Sequence, residues 1–440
     1  MKIRGALKEF SKYASLNVMG MIGLSCYILA DTFFVSKGLG ANGLAALNLA
    51  IPIYSFIHGS GLMVGMGGGI KYSVLRSRGG SGTVFTNAIY LAAVLAAVFV
   101  LIGLFFTEGI LTLFGAEGTV LNMSVTYLRV LLLFAPAFIA NNLILCFVRN
   151  DGAPQLSMAA MITGSLSNVV LDWVFIFPCG MGMFGAAFAT GLAPIISMAI
   201  LSVHFIKKRN GFRIVKTAPE PRLCVGILSG GVPSLVTEVS SGIVIIVFNA
   251  IIMGLEGNIG VAAYGVIANI SLVVIAVYTG IAQGIQPILS RSCGEGNVGD
   301  MRAVLRYALI AMLAVSAAVY SAVAFGAPGI AAVFNSEGDP ALQSIAEYGM
   351  RLYFTACSFA GFNVVISAYF TSTEAPLPAH IISLLRGFIV IIPAAFLLAF
   401  AAGMTGVWLA FPVTEMIVCV AGAVFYSGIT RKHRSLNERG

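Results

Sequence analysis

Charged side chains are scarce. Asp, Glu, Lys and Arg make up 10% of the 440 residues, against 59% hydrophobic ones. A soluble domain carries roughly 25% charge, so this chain cannot surround an apolar core with a wettable surface. Its mean hydropathy of +0.97 makes it an integral membrane protein. Cysteine is sparse and unpatterned: the seven (Cys26, Cys146, Cys179, Cys224, Cys293, Cys357 and Cys419) are scattered and never in CxxC spacing. That excludes a disulfide framework and a structural zinc site and leaves packing as their role. His58, His204, His380 and His433 are not clustered and HExxH is absent, so a metalloenzyme has no support. No small-residue cleavage site follows the basic start and first apolar run, so the first helix is expected to stay as an anchor. Gly59, Gly61, Gly65, Gly67, Gly68 and Gly69 lack the GK[ST] of a phosphate loop and sit in an apolar run, which points to close helix packing.

What is present is a series of apolar runs long enough to span a ~30 Å hydrocarbon core at ~1.5 Å per residue. They predict an all-α integral membrane fold of twelve transmembrane helices, near 13–36, 44–70, 84–106, 123–148, 157–177, 184–206, 225–252, 261–289, 303–326, 345–370, 379–400 and 404–427. The net charge of +8 follows the loops and does not describe a nucleic-acid surface. With a cytoplasmic N-terminus, the inner loops hold Lys71, Arg76, Arg78, Arg149, the cluster Lys207, Lys208, Arg209, Arg213, Lys216 and Arg222, then Arg291, Arg302, Arg306, Arg431, Lys432, Arg434 and Arg439. The outer loops hold one base, Lys37, beside Glu108, Glu117, Glu256, Glu337 and Asp339. The positive-inside rule then puts both termini in the cytoplasm.

The longest polar stretch, KKRNGFRIVKTAPEPR, reads as a linker between halves. An internal repeat agrees. At an offset of 217 residues Gly40, Gly43, Ala45, Ala46, Gly67, Ser73 and Gly79 recur as Gly257, Gly260, Ala262, Ala263, Gly284, Ser290 and Gly296. Asn141, Ala153 and Pro154 recur at offset 222, and Gly182, Met183, Gly185 and Ala189 at offset 221. The division expected is an N-lobe over 1–206, a cytoplasmic linker over 207–224 and a C-lobe over 225–440: two pseudo-symmetric six-helix bundles. Since six is even, the repeat axis lies along the membrane normal with a cavity between lobes, a transporter's architecture.

Asn168 and Asp172, four residues apart in an almost unbroken apolar segment, share one helix face. An acid at a helix centre costs roughly +2.5 to 3.5 kcal/mol on insertion scales, so it needs a partner, a cation or a polar cavity. Counting ~1.5 Å per residue from the outer boundary puts Asp31 roughly 6–8 Å in, Asp172 about 8 Å, Thr190 about 9 Å and Asn168 about 14 Å. Two carboxylates, an amide and a hydroxyl form an all-oxygen set suited to Na⁺ or a shared proton. The plainer reading is isolated polar residues satisfied by backbone. In the second half Glu238, Glu415 and Arg386 fall near the midplane. Arg386 either pairs structurally with one glutamate or snorkels, and the remaining acid could face a cationic substrate. Gln283 and Gln286, in GIAQGIQP, either line the cavity or pack through interhelical hydrogen bonds.

Two six-helix halves, ADTFFVSKGLGANGLAAL in the first helix, SNVVLD in the fifth, GAAFAT in the sixth and GIAQGIQP in the eighth together resemble the MATE (multidrug and toxic compound extrusion) family over nearly the whole chain. The resemblance implies a cation-coupled antiporter in the cell's inner membrane. It would expel organic, often cationic and amphipathic compounds in exchange for Na⁺ or H⁺, without a further cofactor and as a single chain. The family's N-lobe cation site falls on Asp31, Asn168, Asp172 and Thr190, and its seventh-helix acid on Glu238 in VPSLVTE. Two departures stand out: Tyr13–Phe34 contains no proline, where many members have one proposed to bend the first helix, and Ser36 replaces a usual glycine. A lipid-linked precursor flippase of the wider superfamily is the rival, but it calls for several basic residues in the cavity and only Arg386 lies deep in a helix. A channel lacks its ring of identical pore residues, and an intramembrane enzyme lacks a nucleophile, base and orienter cluster.

Overall fold

A helix of 75 residues, α1 (Ile3–Ser77), would be about 110 Å long if straight, nearly four times a ~30 Å hydrocarbon core. It breaks at Gly40, where φ 68° and ψ −160° fall in a region essentially confined to glycine. A hydrogen bond of 3.1 Å between the Tyr27 and Tyr54 hydroxyls, nearly equidistant from the break, shows that the two arms run side by side as a hairpin. The computed structural model describes residues 3–335 and 338–437, with side chains over 5–335 and 338–429. Arg431, Lys432, Arg434, Arg439 and Glu337 lie outside the described side chains.

The remaining helices are α2 (Val84–Phe105), α3 (Thr107–Leu113), α4 (Gly118–Leu133), α5 (Ala135–Asn150), α6 (Pro154–Ile176), α7 (Gly182–Ile206), α8 (Pro221–Gly294), α9 (Val298–Phe334), α10 (Pro340–Tyr353), α11 (Cys357–Ser372), α12 (Pro376–Leu384) and α13 (Ile391–Asn437). The fold is all-α. Among the described residues eight helices are long and apolar enough to cross a membrane, or nine if α4 and α5, bent by 47°, form one span. Phe105, Phe325 and Phe400 stand largely exposed, as lipid-facing side chains do in a multi-pass protein.

The sequence repeat is also a backbone repeat. Gly257 breaks α8 at φ 60° and ψ −149°, matching Gly40, and Gly403 breaks α13 at φ 58°, matching Gly182 at φ 58°. The turn before Pro154, closed by Ala153 N–H donating to Val148 O at 3.2 Å, recurs before Pro376 with Ala375 donating to Phe370 O at 3.0 Å. Proline at the first helical position loses no bond there and pre-sets φ, so both turns launch a new helix.

Where α1 meets α8 the backbones nearly touch. A Cβ added at Gly67 would lie 1.8 Å from Ile227 O, and one at Gly231 would lie 1.8 Å from Met63 O. The first arm of α1 also crosses α8 closely, where an added Cβ would lie 2.5 Å from Val18 Cα at Gly280 and 2.7 Å from Ala14 Cα at Gly284. The glycine run of α1 thus serves packing. Phe10, Tyr13 and Ala14 belong to the buried cluster that holds Tyr278, Phe354 and Trp408, so the first turns of the chain pack on the second half's core, across the boundary expected at 206. One end of this seam is clamped by ions: Arg291 makes a two-pronged bond to Glu9 at 2.9 and 2.8 Å, while Glu374 takes Lys71 at 2.8 Å and Arg78 at 3.0 Å.

The segment joining α7 to α8 is strapped down. Phe212 is buried among Tyr72, Phe85, Phe147, Phe205 and His204. The Gly211 N–H donates to Asp151 at 2.6 Å, and that buried carboxylate also accepts from Tyr72, Arg76 and His204. Val215 N–H donates to Thr86, and the Asn87 side chain accepts from Glu220 N–H.

Two outcomes are expected. Gly67→Ala should cost about 1–3 kcal/mol or more, because a methyl cannot fit against a backbone carbonyl, whereas Gly254→Ala, with open space around it, should be neutral. Thermal unfolding of the purified protein compares them. Burial alone would raise the Glu374 carboxyl, but hydrogen bonds and charges from Lys71 and Arg78 outweigh it and hold the group below its usual 4.5. A depressed carboxylate stabilises above its unfolded value and loses that contribution as pH falls through the folded value. The stability gap between wild type and Glu374→Gln should therefore be full above pH 4.5 and close in stronger acid.

Candidate functional site

Asp31 on α1, Asn168 and Asp172 on α6 and Thr190 on α7 are all buried, and three of them are in direct contact. With its amide oriented to satisfy both ends, Asn168 donates to Asp172 Oδ2 at 3.2 Å and accepts from the Thr190 backbone N–H at 3.2 Å. The Thr190 hydroxyl donates to Ala186 O at 3.0 Å, which turns its lone pairs toward the cluster. Asp31 lies near enough to Asp172 for their charges to interact. Oδ1 of each aspartate is buried without a donor. Two orphaned carboxylate oxygens beside an amide and a hydroxyl can take up a small hard cation or a proton, and their burial makes some such partner necessary. Tyr127 of α4 is a neighbour of both Asp31 and Thr190. Nothing in its local sequence marks it, since SVTYLRVLL reads as an ordinary apolar stretch.

Thr190 also borders the main cavity, which has about 800 Å³ of space including its open mouth. Tyr27, Tyr54, His58, Asn142, Glu238 and Gln283 line it. Tyr54 and His58 stack with centroids 5.9 Å apart, and the Asn142 amide bonds the His58 ring and carbonyl at 3.3 Å. The wall is mixed: the rings of Tyr27, Tyr54, His58 and Phe138 stand among aliphatic and small polar side chains, with Glu238 as its carboxylate and no Lys or Arg among the lining residues. The His58 and Asn142 contribution escaped sequence reading because these residues come together from helices 84 positions apart.

In the second half the alternatives separate. Arg386 takes Glu415, with Nε at 2.9 and 3.0 Å from its two oxygens and a terminal nitrogen at 2.7 Å. Asn363 adds a bond at 2.7 Å. Arg386 sits in a π-helical turn, Leu385–Ile389, between α12 and α13, a local widening that re-aims side chains. Arg386 and Glu415 form a structural ion pair, and neither lines the cavity; the acid that does is Glu238. Gln286 is fully buried and exchanges hydrogen bonds with Asn150 at 3.1 and 3.0 Å, so of the two glutamines Gln283 alone reaches the cavity.

One expectation is corrected. Arg149, read as an inner-loop base, lies in the last turn of α5 with no exposure, so Arg386 is not alone in depth. It donates to Asn17 Oδ1 at 2.9 Å and to Gln283 Oε1 at 2.5 Å, and touches the sulfurs of Met66 and Cys146. No carboxylate faces it among the described residues. Sequence reading placed it by its closeness to the Asp151–Gly152 turn; its burial is imposed by α1 and α8, from more than 130 residues away.

A family model described as MatE matches residues 18–174 and 233–397. The chain is 24% identical over 400 residues to the multidrug export protein MepA of Staphylococcus saprophyticus, an alignment covering 90% of this chain and 88% of that one. A MepA of Staphylococcus aureus gives the same identity and coverage. Among solved structures, a multidrug resistance MATE family transporter of the MOP superfamily, in an outward-facing conformation, superposes with TM-score 0.90 at 24% identity over 99% of this chain and 97% of that one. A MOP superfamily transporter from Pyrococcus furiosus, described as having a binding pocket of reversed polarity, gives 0.87 at 25% identity over 97% and 96%.

Removing one partner of the second-half pair should be costly. Arg386→Met leaves the Glu415 charge buried and is expected to destabilise by about 3–5 kcal/mol. The double change Arg386→Met with Glu415→Gln should recover most of that loss in thermal unfolding, and a double variant as unstable as the single one would contradict the pairing.

Proposed function

The chain belongs to the MATE family, and we propose that within it this protein is a Na⁺- or H⁺-coupled antiporter exporting organic, cationic amphipathic compounds by alternating access. Membership makes it a transport protein and not an enzyme. The observation that carries the finer reading is the pairing of two sites. Asp31 and Asp172, with unsatisfied buried oxygens, adjoin through Thr190 a cavity that presents the rings of Tyr27, Tyr54 and Phe138 and whose carboxylate is Glu238. Aromatic faces and an acid attract a desolvated organic cation. The flippase alternative loses ground because both deep bases are engaged, Arg149 by amides and Arg386 by Glu415.

Counting each arm of α1, α8 and α13 as a span, and joining α4 to α5, α10 to α11 and α12 to the first arm of α13, gives twelve. The duplicated breaks at Gly40 and Gly257 and at Gly182 and Gly403 support an N-lobe over 1–206, a linker over 207–224 and a C-lobe over 225–440. The basic loops favour cytoplasmic termini in the inner membrane. The clamped end of the seam, with Lys71, Arg78 and Arg291, would then be the cytoplasmic one, closed while the other side is open.

In reconstituted vesicles, Asp31→Asn and Asp172→Asn should each abolish gradient-driven export of a fluorescent organic cation while inserting normally. Linkage requires substrate to weaken ion binding by the factor with which the ion weakens substrate binding. The effect should survive Glu238→Gln and vanish in Asp172→Asn; the reverse pattern would move coupling to the second half.

A further inference from the structure

A second recess lies on the other face of α5 from the cavity described above. It is a groove between α2 and α5 with about 1190 Å³ of space including its open side. Phe85, Ile89, Ala92 and Ala96 line it from α2, and Pro136, Ile139, Ala140 and Leu143 from α5, spacings that select one face of each helix. From Phe85 to Ala96 is eleven residues, about 16 Å of helix, which matches one leaflet of a ~30 Å core. One end closes at Pro136, where α4 and α5 bend by 47°.

The other end opens under the 207–220 strap, which contributes Asn210, Phe212, Arg213 and Ile214 to the lining beside Phe205 of α7. The strap does not drift over the groove. Phe212 in its aromatic cage, Gly211 on Asp151, Val215 on Thr86 and Tyr90 on Thr217 hold it there. It carries five bases (Lys207, Lys208, Arg209, Arg213 and Lys216) against one acid, Glu220. Asp151, the carboxylate beneath it, is already saturated by Tyr72, Arg76, His204 and Gly211. None of the five bases is ion-paired among the described residues. Ile214 and Val215 are exposed between Arg213 and Lys216, an apolar and basic mixture suited to the interface of a bilayer.

We propose that this groove holds one anionic phospholipid of the leaflet on the strap's side, with an acyl chain along the α2 and α5 alanines and its phosphate at Arg213. Charge chooses the occupant: an apolar slot of leaflet length ending under a fixed basic cluster fits an anionic head and a chain, and repels the head of a cationic amphiphile. Basic pockets between transmembrane helices recognise lipid head groups by this physics. The site does not depend on which ion or substrate the protein transports.

The test uses the full chain purified in a neutral detergent. Native mass spectrometry and thermal unfolding are read after adding phosphatidylglycerol, phosphatidylcholine of the same chains, or glycerol phosphate alone. One retained phosphatidylglycerol is expected, bound at least fivefold more tightly than phosphatidylcholine, and Arg213→Gln should cut that preference about fivefold, the factor matching ~1 kcal/mol per basic residue near an anionic surface. Ala93→Trp, which fills the groove, should abolish retention, while Val94→Trp, exposed on the other face of α2, should not. Equal binding of the two lipids with Arg213→Gln unchanged would overturn the proposal. So would equal behaviour of the two tryptophan variants, or stabilisation by glycerol phosphate alone. Arg213 is exposed, so its variant remains readable should Ala93→Trp not fold.

Discussion

A guanidinium with no exposure and, among the described residues, no facing carboxylate is the constraint on which the assembly turns. Arg149 ends α5, yet its bonds go to Asn17 on the first arm of α1 and Gln283 on the second arm of α8. A buried charge without a counter-ion needs acceptors for its donors; here two amide oxygens take one terminal nitrogen, two sulfurs take the other and Nε is left without a partner, and even these contacts last only while α1, α5 and α8 stay together. The same neighbourhood holds close backbone crossings, at Gly67 and Gly231 and at Gly280 and Gly284. Amide acceptors bind a cation less strongly than a carboxylate does, so this junction can hold one conformation without locking it.

Elsewhere the buried charges divide by whether they are answered. Glu415 is surrounded by Arg386 and Asn363, and Asp151 by four donors; these are structural groups. Asp31 and Asp172 each keep an oxygen with nothing to accept from. The repeat sharpens this contrast. The residues that match Asp31 and Thr190 in the second half are Phe248 and Phe411, which stack on Tyr264 and Tyr353 with centroids 5.5 and 4.6 Å apart. Where one half of the scaffold gathers oxygen, the other closes with aromatic rings. Duplication preserved the breaks in the helices and left this oxygen cluster to only one copy.

Much of this was legible beforehand because membrane solvent makes composition informative. A long apolar run has to be a helix, since only a helix satisfies its own backbone in lipid, and an acid within such a run has to have a reason. Hence the helices and the Asp31, Asn168, Asp172 and Thr190 set emerged from spacing and depth. Arg149, Tyr127 and His58 did not. Each looks ordinary among its chain neighbours, and each takes its meaning from residues brought in by a different helix. The rival roles of Glu238 and Glu415 were likewise inseparable on the page, because both sit at similar depth and only side-chain direction assigns Arg386 to one of them.

By itself the sequence determined the class of the fold, its repeat and the four oxygen-bearing residues of the first half. These follow from hydropathy, local backbone preference and the insertion cost of a charge, all of which are properties of neighbouring residues. Only the tertiary structure decided which charges cancel, which residues face the cavity, that the first turns of the chain pack on the distant half, and that the 207–220 segment is a fixed strap. Those outcomes depend on contacts between side chains far apart in the chain, whose partners are chosen by helix crossing and rotation, and no local pattern encodes them.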